Sequence, residues 1–188
     1  AVVPAGTPGR DALRIAMDTL FNHPNVGPFF ARQMIQRLVT SNPSPAYVER
    51  VARKFNDNGN GVRGDLQTVW VAILLDDGGR GAASLASTSH GKLREPMLRF
   101  IQWARTFSVT SAAGSWKIFD LSNPGTQLGQ SPLRAPSVFN FFRPGYVPPG
   151  TAMAAADATA PEFQIVNESS VGGYLNFMQG AIERGIQC

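Results

Sequence analysis

The chain has 188 residues, 43% hydrophobic and 16% charged, which is enough apolar content for a buried core and excludes a chain held open by its own charge. Its net charge of +4 comes from 17 basic residues, mostly Arg, scattered from Arg10 to Arg184 instead of lining one segment, so nucleic acid is not an expected partner. The longest apolar run, Val69 to Leu75, is far short of the roughly 20 residues that cross a bilayer, and no membrane span is expected.

The first half predicts successive helices, because apolar residues recur every three or four positions between strong breaks. Leu13, Met17, Leu20 and Phe21 form one stripe, ended by His23-Pro24-Asn25. Phe30, Met34, Ile35, Leu38 and Val39 form a second, closed by Ser41-Asn42-Pro43. A third helix begins with Ser44 as N-cap and Pro45 at the first helical position, and carries Tyr47, Val48, Val51 and Phe55. Asp65 caps a fourth through Leu66, Val69, Trp70, Ile73 and Leu74. Residues 78–91, rich in Gly, Ala and Ser, read as a mobile surface connection, followed by a fifth helix through Leu93, Met97, Phe100, Ile101, Ala104 and Phe107.

After Gly114 Pro and Gly recur too often for long regular elements. One short helix, Ser137 to Phe142, is expected there. Trp116, Ile118, Phe119, Phe139, Phe141, Phe142 and Tyr146 are expected to pack as this segment wraps over the helices, each burial contributing about 1.5–3 kcal/mol. Residues 151–160 form a small-residue linker, and Asn167 caps a last helix through Val171, Tyr174, Leu175 and Met178, although Gly172-Gly173 costs about 1 kcal/mol per glycine relative to Ala. The expected fold is therefore mainly α, a single helical domain of about five to seven helices over 1–188, with a helical core at 10–113, an irregular Pro/Gly/aromatic-rich segment at 114–160 wrapped on it, and a terminal helix at 161–188.

Few constellations could carry chemistry. Asn56-Asp57-Asn58-Gly59-Asn60-Gly61-Val62 resembles a calcium loop, with ligands from Asn56, Asn58, Asn60 and the Val62 carbonyl and a glycine at the sixth position. The first position lacks the usual Asp, and Gln67 stands where a bidentate Glu supplies much of the affinity. The competing reading is a helix end followed by a tight turn into the Asp65 cap. Arg94 and Glu95 concentrate charge at a helix start, and Arg134 and Arg143 flank Ser137, Asn140 and aromatics, with Tyr146 just beyond, a pattern that suits a carboxylate, phosphate or sugar. Against it stands the plainer reading that these arginines bond carbonyls left unpaired by irregular backbone.

His23 and His90 have no histidine or carboxylate partner at helical metal-site spacing, and no serine stands in a nucleophile elbow. Glu162 and Glu168 could pair for glycoside cleavage only without recognisable context. The lone Cys188 excludes an internal disulfide and metal sites built on paired cysteines. No cofactor is predicted, and calcium at 56–67 is the one metal candidate.

Long segments of the chain resemble one bacterial family. They are Phe21-Asn22-His23-Pro24-Asn25, Phe30 to Val39, Phe55-Asn56-Asp57, Gly61 to Leu66, Lys92-Leu93-Arg94-Glu95-Pro96, Ser131 to Tyr146, and Pro161-Glu162-Phe163-Gln164-Ile165. They are similar to the C-terminal part of the family catalogued as domain of unknown function 1800. The resemblance implies that the chain is part of a longer protein, which agrees with its start at Ala1-Val2-Val3-Pro4 without an initiating Met. It also implies a periplasmic or extracellular location, and a missing N-terminal part or another polypeptide as partner. It transfers no catalytic residue. The function expected is a structural or binding module of an exported protein, whose ligand is a partner, a polymer or a small anion. The alternative is part of a hydrolase or modifying enzyme acting on an envelope or extracellular polymer, its site shared with the missing region.

Overall fold

Capping chemistry sets the central helices where the sequence places them. Ser44 accepts the N–H of Tyr47 through its side chain, with Pro45 opening the helix behind it, and Asp65 accepts the N–H groups of Gln67 and Thr68; each cap satisfies donors that a helix start leaves unpaired. The computed structural model describes residues 2–186, so Cys188 lies outside the described residues. Among those residues there are nine α-helices, one 3-10 turn and no strand, a mainly α fold in which none of the helices is long and apolar enough to cross a membrane.

The chain divides after Gly91 into two compact units. The first holds α1 (Gly9–Phe21), α2 (Val26–Leu38), α3 (Pro45–Asn56), α4 (Leu66–Leu75) and two short helices, α5 (Asp77–Arg80) and α6 (Ala82–Ala86). Its core joins Ala31 and Ile35 of α2, Tyr47, Val51, Ala52 and Phe55 of α3, and Val69 and Ile73 of α4, with Phe30 and Trp70 packed beside them. The Phe30 ring lies 5.3 Å from Phe55 and 6.0 Å from Trp70, within the range where tilted aromatic pairs attract. α1 differs from these three. Its apolar stripe is present, but Leu13, Met17 and Leu20 are 61%, 61% and 69% exposed, and no residue of α1 is buried.

Residues 78–91 correct the expected mobile connection, since α5 and α6 occupy much of it. Its glycines serve close packing: a Cβ on Gly78 or Gly79 would come within 3.0 Å of the Tyr47 side chain. Tyr47 itself is fully buried, and its hydroxyl donates to the Ile73 carbonyl at 2.5 Å. Burial first, and then the negative charge of Asp76, push its pKa up to about 12. An unfolded tyrosine ionises near 10, so both states keep the proton below about pH 10, and stability drains away as pH climbs from about 10 to about 12. Tyr47→Phe is therefore expected to cost about 1 kcal/mol at pH 7, where the Ile73 carbonyl loses its partner, and to unfold less steeply than the parent above pH 10. Urea midpoints measured at neutral and alkaline pH check this; parallel pH profiles for the two proteins would refute it.

The second unit holds α7 (Pro96–Thr106), α8 (Ala152–Ala155), the 3-10 turn η1 (Pro161–Gln164) and α9 (Glu168–Arg184). The helix expected as the fifth of a continuous core belongs here as α7: Phe100 packs with Met178 of α9 and with Leu121 and Leu128 of the irregular segment. Asn167 caps α9 in a capping box with Ser170, as the sequence predicts. Gly173 pays no packing penalty in return for its poor helix propensity, because a Cβ there would meet the Pro124 and Gly125 backbone at 2.5 and 2.6 Å. The glycine is what allows this turn to sit against α9.

Two expectations for the irregular segment are overturned. Ser137 to Phe142 is a run of turns, not a helix; Asn140 takes a left-handed φ of 66°, and the Ser137 hydroxyl accepts the Phe139 N–H, both of which break a helical register. Of the aromatics expected to pack, Phe142 is buried, but Trp116, Phe119 and Phe139 are 66%, 45% and 57% exposed. The linker at 151–160 carries the helical turn α8, capped by Thr151.

Candidate functional site

In the second unit a buried ion pair lies at η1. Glu162 is 2% exposed, and its Oε1 accepts from Lys92 Nζ at 2.8 Å, while Oε2 is buried with no hydrogen-bond partner. Two residues on, the Gln164 side chain accepts the backbone N–H of Arg143 at 2.8 Å, and the N–H of Ala160 reaches the Tyr146 carbonyl at 2.8 Å. The turn η1 and the residue before it thus hold both the start of the unit at Lys92 and the Arg143 to Tyr146 turn of the irregular segment.

The other candidates divide between interior and surface. Glu95 is buried and accepts from Gln130 Nε2 at 2.5 Å, while Gln130 Oε1 accepts the N–H of Met97 at 3.1 Å. The pair closes the first turn of α7, whose own N-cap position offers no side-chain bond. Arg94 beside it is exposed. Arg99 lays its guanidinium over the Tyr174 ring at 4.3 Å, and its Nε is buried without a partner. Arg134 pairs with Asp120 at 3.3 Å on the surface; Ser122 and then this arginine hold the Asp120 carboxyl below its ordinary value. Arg143 lies over the Phe139 ring at 5.7 Å. Asn140 is exposed and Tyr146 half-buried, so the structure shares the sequence-predicted residues between a buried Glu95 and an exposed Arg134, Asn140 and Arg143.

In the first unit the side-chain oxygens of the 56–65 loop accept from its own backbone and from Arg63. Asp57 Oδ1 accepts from Gly59 and Gly61 at 2.7 and 2.9 Å, which holds its carboxyl below the ordinary value. Asn58 Oδ1 accepts from Asn60 and Val62, and its amide donates to Asp65 at 2.8 Å. Asn56 Oδ1 accepts from the Arg63 guanidinium, which also donates to the carbonyls of Phe21 and His23 at 3.1 and 3.2 Å and lies over the rings of Phe21 and Phe55. The side-chain oxygens of Asn56 and Asn58, two of the sequence-predicted calcium ligands, each accept from these donors. His23 Nδ1 accepts the N–H of Asn25, and among the described residues no three His, Cys, Asp or Glu side chains gather as a metal cluster.

Compared with known families, the chain matches the one described as protein of unknown function (DUF1800) over residues 2–185. It belongs to the DUF1800 family. Comparison with curated proteins and with solved structures gave no match. The resemblance segments of this DUF1800 chain now have physical content. Phe21 to Asn25 and Gly61 to Leu66 meet at Arg63, and Lys92 to Pro96 meets Pro161 to Gln164 at the buried ion pair. Gln130, Gln164 and Tyr174 carry no signal in the sequence, because their roles depend on long-range contacts. Glu162 was legible as a carboxylate, but nothing in its neighbours announces burial; at 2% exposure it does not suit the accessible pair with Glu168 that glycoside cleavage needs.

Proposed function

We propose that this chain is a binding module of an exported bacterial protein, and that residues 115–150 present the surface that captures its partner, another polypeptide or a further part of the same protein. The observation that carries the reading is the exposure of Leu133 at 104% and Val138 at 96%, in the segment that also carries Arg134 and Arg143. Leu133 holds a left-handed φ of 60°, a conformation that costs a residue with a Cβ roughly 1–2 kcal/mol. An aliphatic side chain that is both strained and fully solvated gains nothing for folding, which favours a role in contact with something else. Arg134 and Arg143, with Lys117, outnumber Asp120 in this segment, so the partner surface is expected to combine an apolar pocket with carboxylates.

The test is capture from an envelope extract followed by native mass spectrometry, comparing the parent chain with Leu133→Asp/Val138→Asp and with Arg134→Ala/Arg143→Ala. A companion polypeptide of defined mass on the parent, lost from both variants while their helical circular dichroism persists, supports the reading. A bare parent chain, or equal capture by the variants, removes it.

A further inference from the structure

The apolar stripe of α1 is a separate surface, in the other unit, and the sequence of that helix specifies a partner for it. Leu13, Met17 and Leu20 are more than half exposed along one line, and the hollow beside them is lined by Arg10, Asp11, Leu13, Arg14, Met17 and Asp18. Charged residues therefore border the stripe along one flank. Arg14 and Asp18 stand one helical turn apart on that flank. Arg14 has only an exposed contact with Asp11 at 3.6 Å, of a kind that contributes little, and Asp18 has no ion pair among the described residues.

We propose that α1 pairs with α1 of a second copy, antiparallel, about a two-fold axis passing beside Ala16. That axis places Arg14 against Asp18 of the second copy and Asp18 against its Arg14. Both contacts form on the same flank, because a two-fold axis across antiparallel helices brings like flanks together. The same operation brings Met17 level with Ile15 of the second copy, two residues or ~3 Å of rise from its Met17, and Leu13 within about one residue, ~1.5 Å of rise, of its Leu20. Shape and charge thus agree on one register. The stripe is carried by one helix of 13 residues, fewer than the roughly 20–30 residues a side of long-lived complexes, so the dimer exchanges rapidly and grows with concentration. Because α1 buries no residue, changes on its surface leave the core of the unit intact.

The experiment is sedimentation velocity of the whole chain over a hundredfold concentration series. The parent is expected to shift from monomer toward dimer, and Arg14→Asp or Asp18→Arg alone to weaken association roughly tenfold, by replacing two attractions with two repulsions. Mixing the two single variants restores dimer, because one copy then carries two acids and the other two bases in matching positions. Circular dichroism confirms that each variant keeps its helices. A parent that is monomeric throughout, single variants that dimerise like the parent, or a mixture that does not recover each overturn the proposal; Leu13→Asp/Met17→Asp, expected to abolish association, tests the stripe independently of the charges.

Discussion

Lys92→Ala is expected to lower the stability of the second unit by about 3–5 kcal/mol, the usual cost of stranding one partner of a buried ion pair. The Glu162 side chain is 2% exposed against 13% for Lys92, and its second oxygen has no partner. Without the ammonium, that carboxylate keeps its desolvation penalty and loses the attraction that offsets it. Lys92→Met/Glu162→Met together should recover most of the loss, since removing both charges leaves neither stranded. Urea unfolding of the single and double variants reads this directly. A Lys92→Ala protein within about 1 kcal/mol of the parent would mean that water reaches Glu162.

Arg63→Ala is the second large effect, about 2–4 kcal/mol on the first unit, from three charge-assisted hydrogen bonds and two ring contacts. Its carbonyl partners, Phe21 and His23, belong to the end of α1 and the turn after it, whereas Asn56 ends α3. The substitution should therefore speed amide exchange selectively around residues 9–25, ahead of the α2–α4 core. Arg63→Lys should restore only a small part, because a single ammonium cannot fork to three acceptors while lying flat against Phe21 and Phe55. Uniform exchange across the unit would show that Arg63 supports the core instead of the junction.

The helices were legible where local chemistry decides them. Ser44, Asp65 and Asn167 each announce a helix start, and each makes its predicted side-chain bond. Legibility failed where a residue answers to something distant in sequence. Gly78 and Gly79 read as looseness but make room for Tyr47, and Gly173 reads as a weak point but makes room for Pro124 and Gly125. The aromatic segment misled for the opposite reason: hydrophobicity argues for burial in general, yet Trp116 and Phe139 stay in solvent, and no pattern of neighbouring residues distinguishes them from Phe142. Of the candidate site, Arg134, Arg143 and Glu95 were visible as charges. Their division into surface and interior was not, because Gln130 and Asp120, which decide it, stand far from Glu95 and Arg134 in the chain.

The anchoring of α1 through Phe21 has a mechanical side. Thirteen residues make an arm of about 20 Å, gripped at its carboxyl end, where the Phe21 ring fits against Gly64 and Arg63 holds the carbonyls. Whatever covers the far half of that arm must also fix its direction, so the orientational freedom lost on contact counts against affinity alongside the area gained. Stiffening the elbow at His23 to Asn25 would then tighten an encounter without adding an atom to its contact surface.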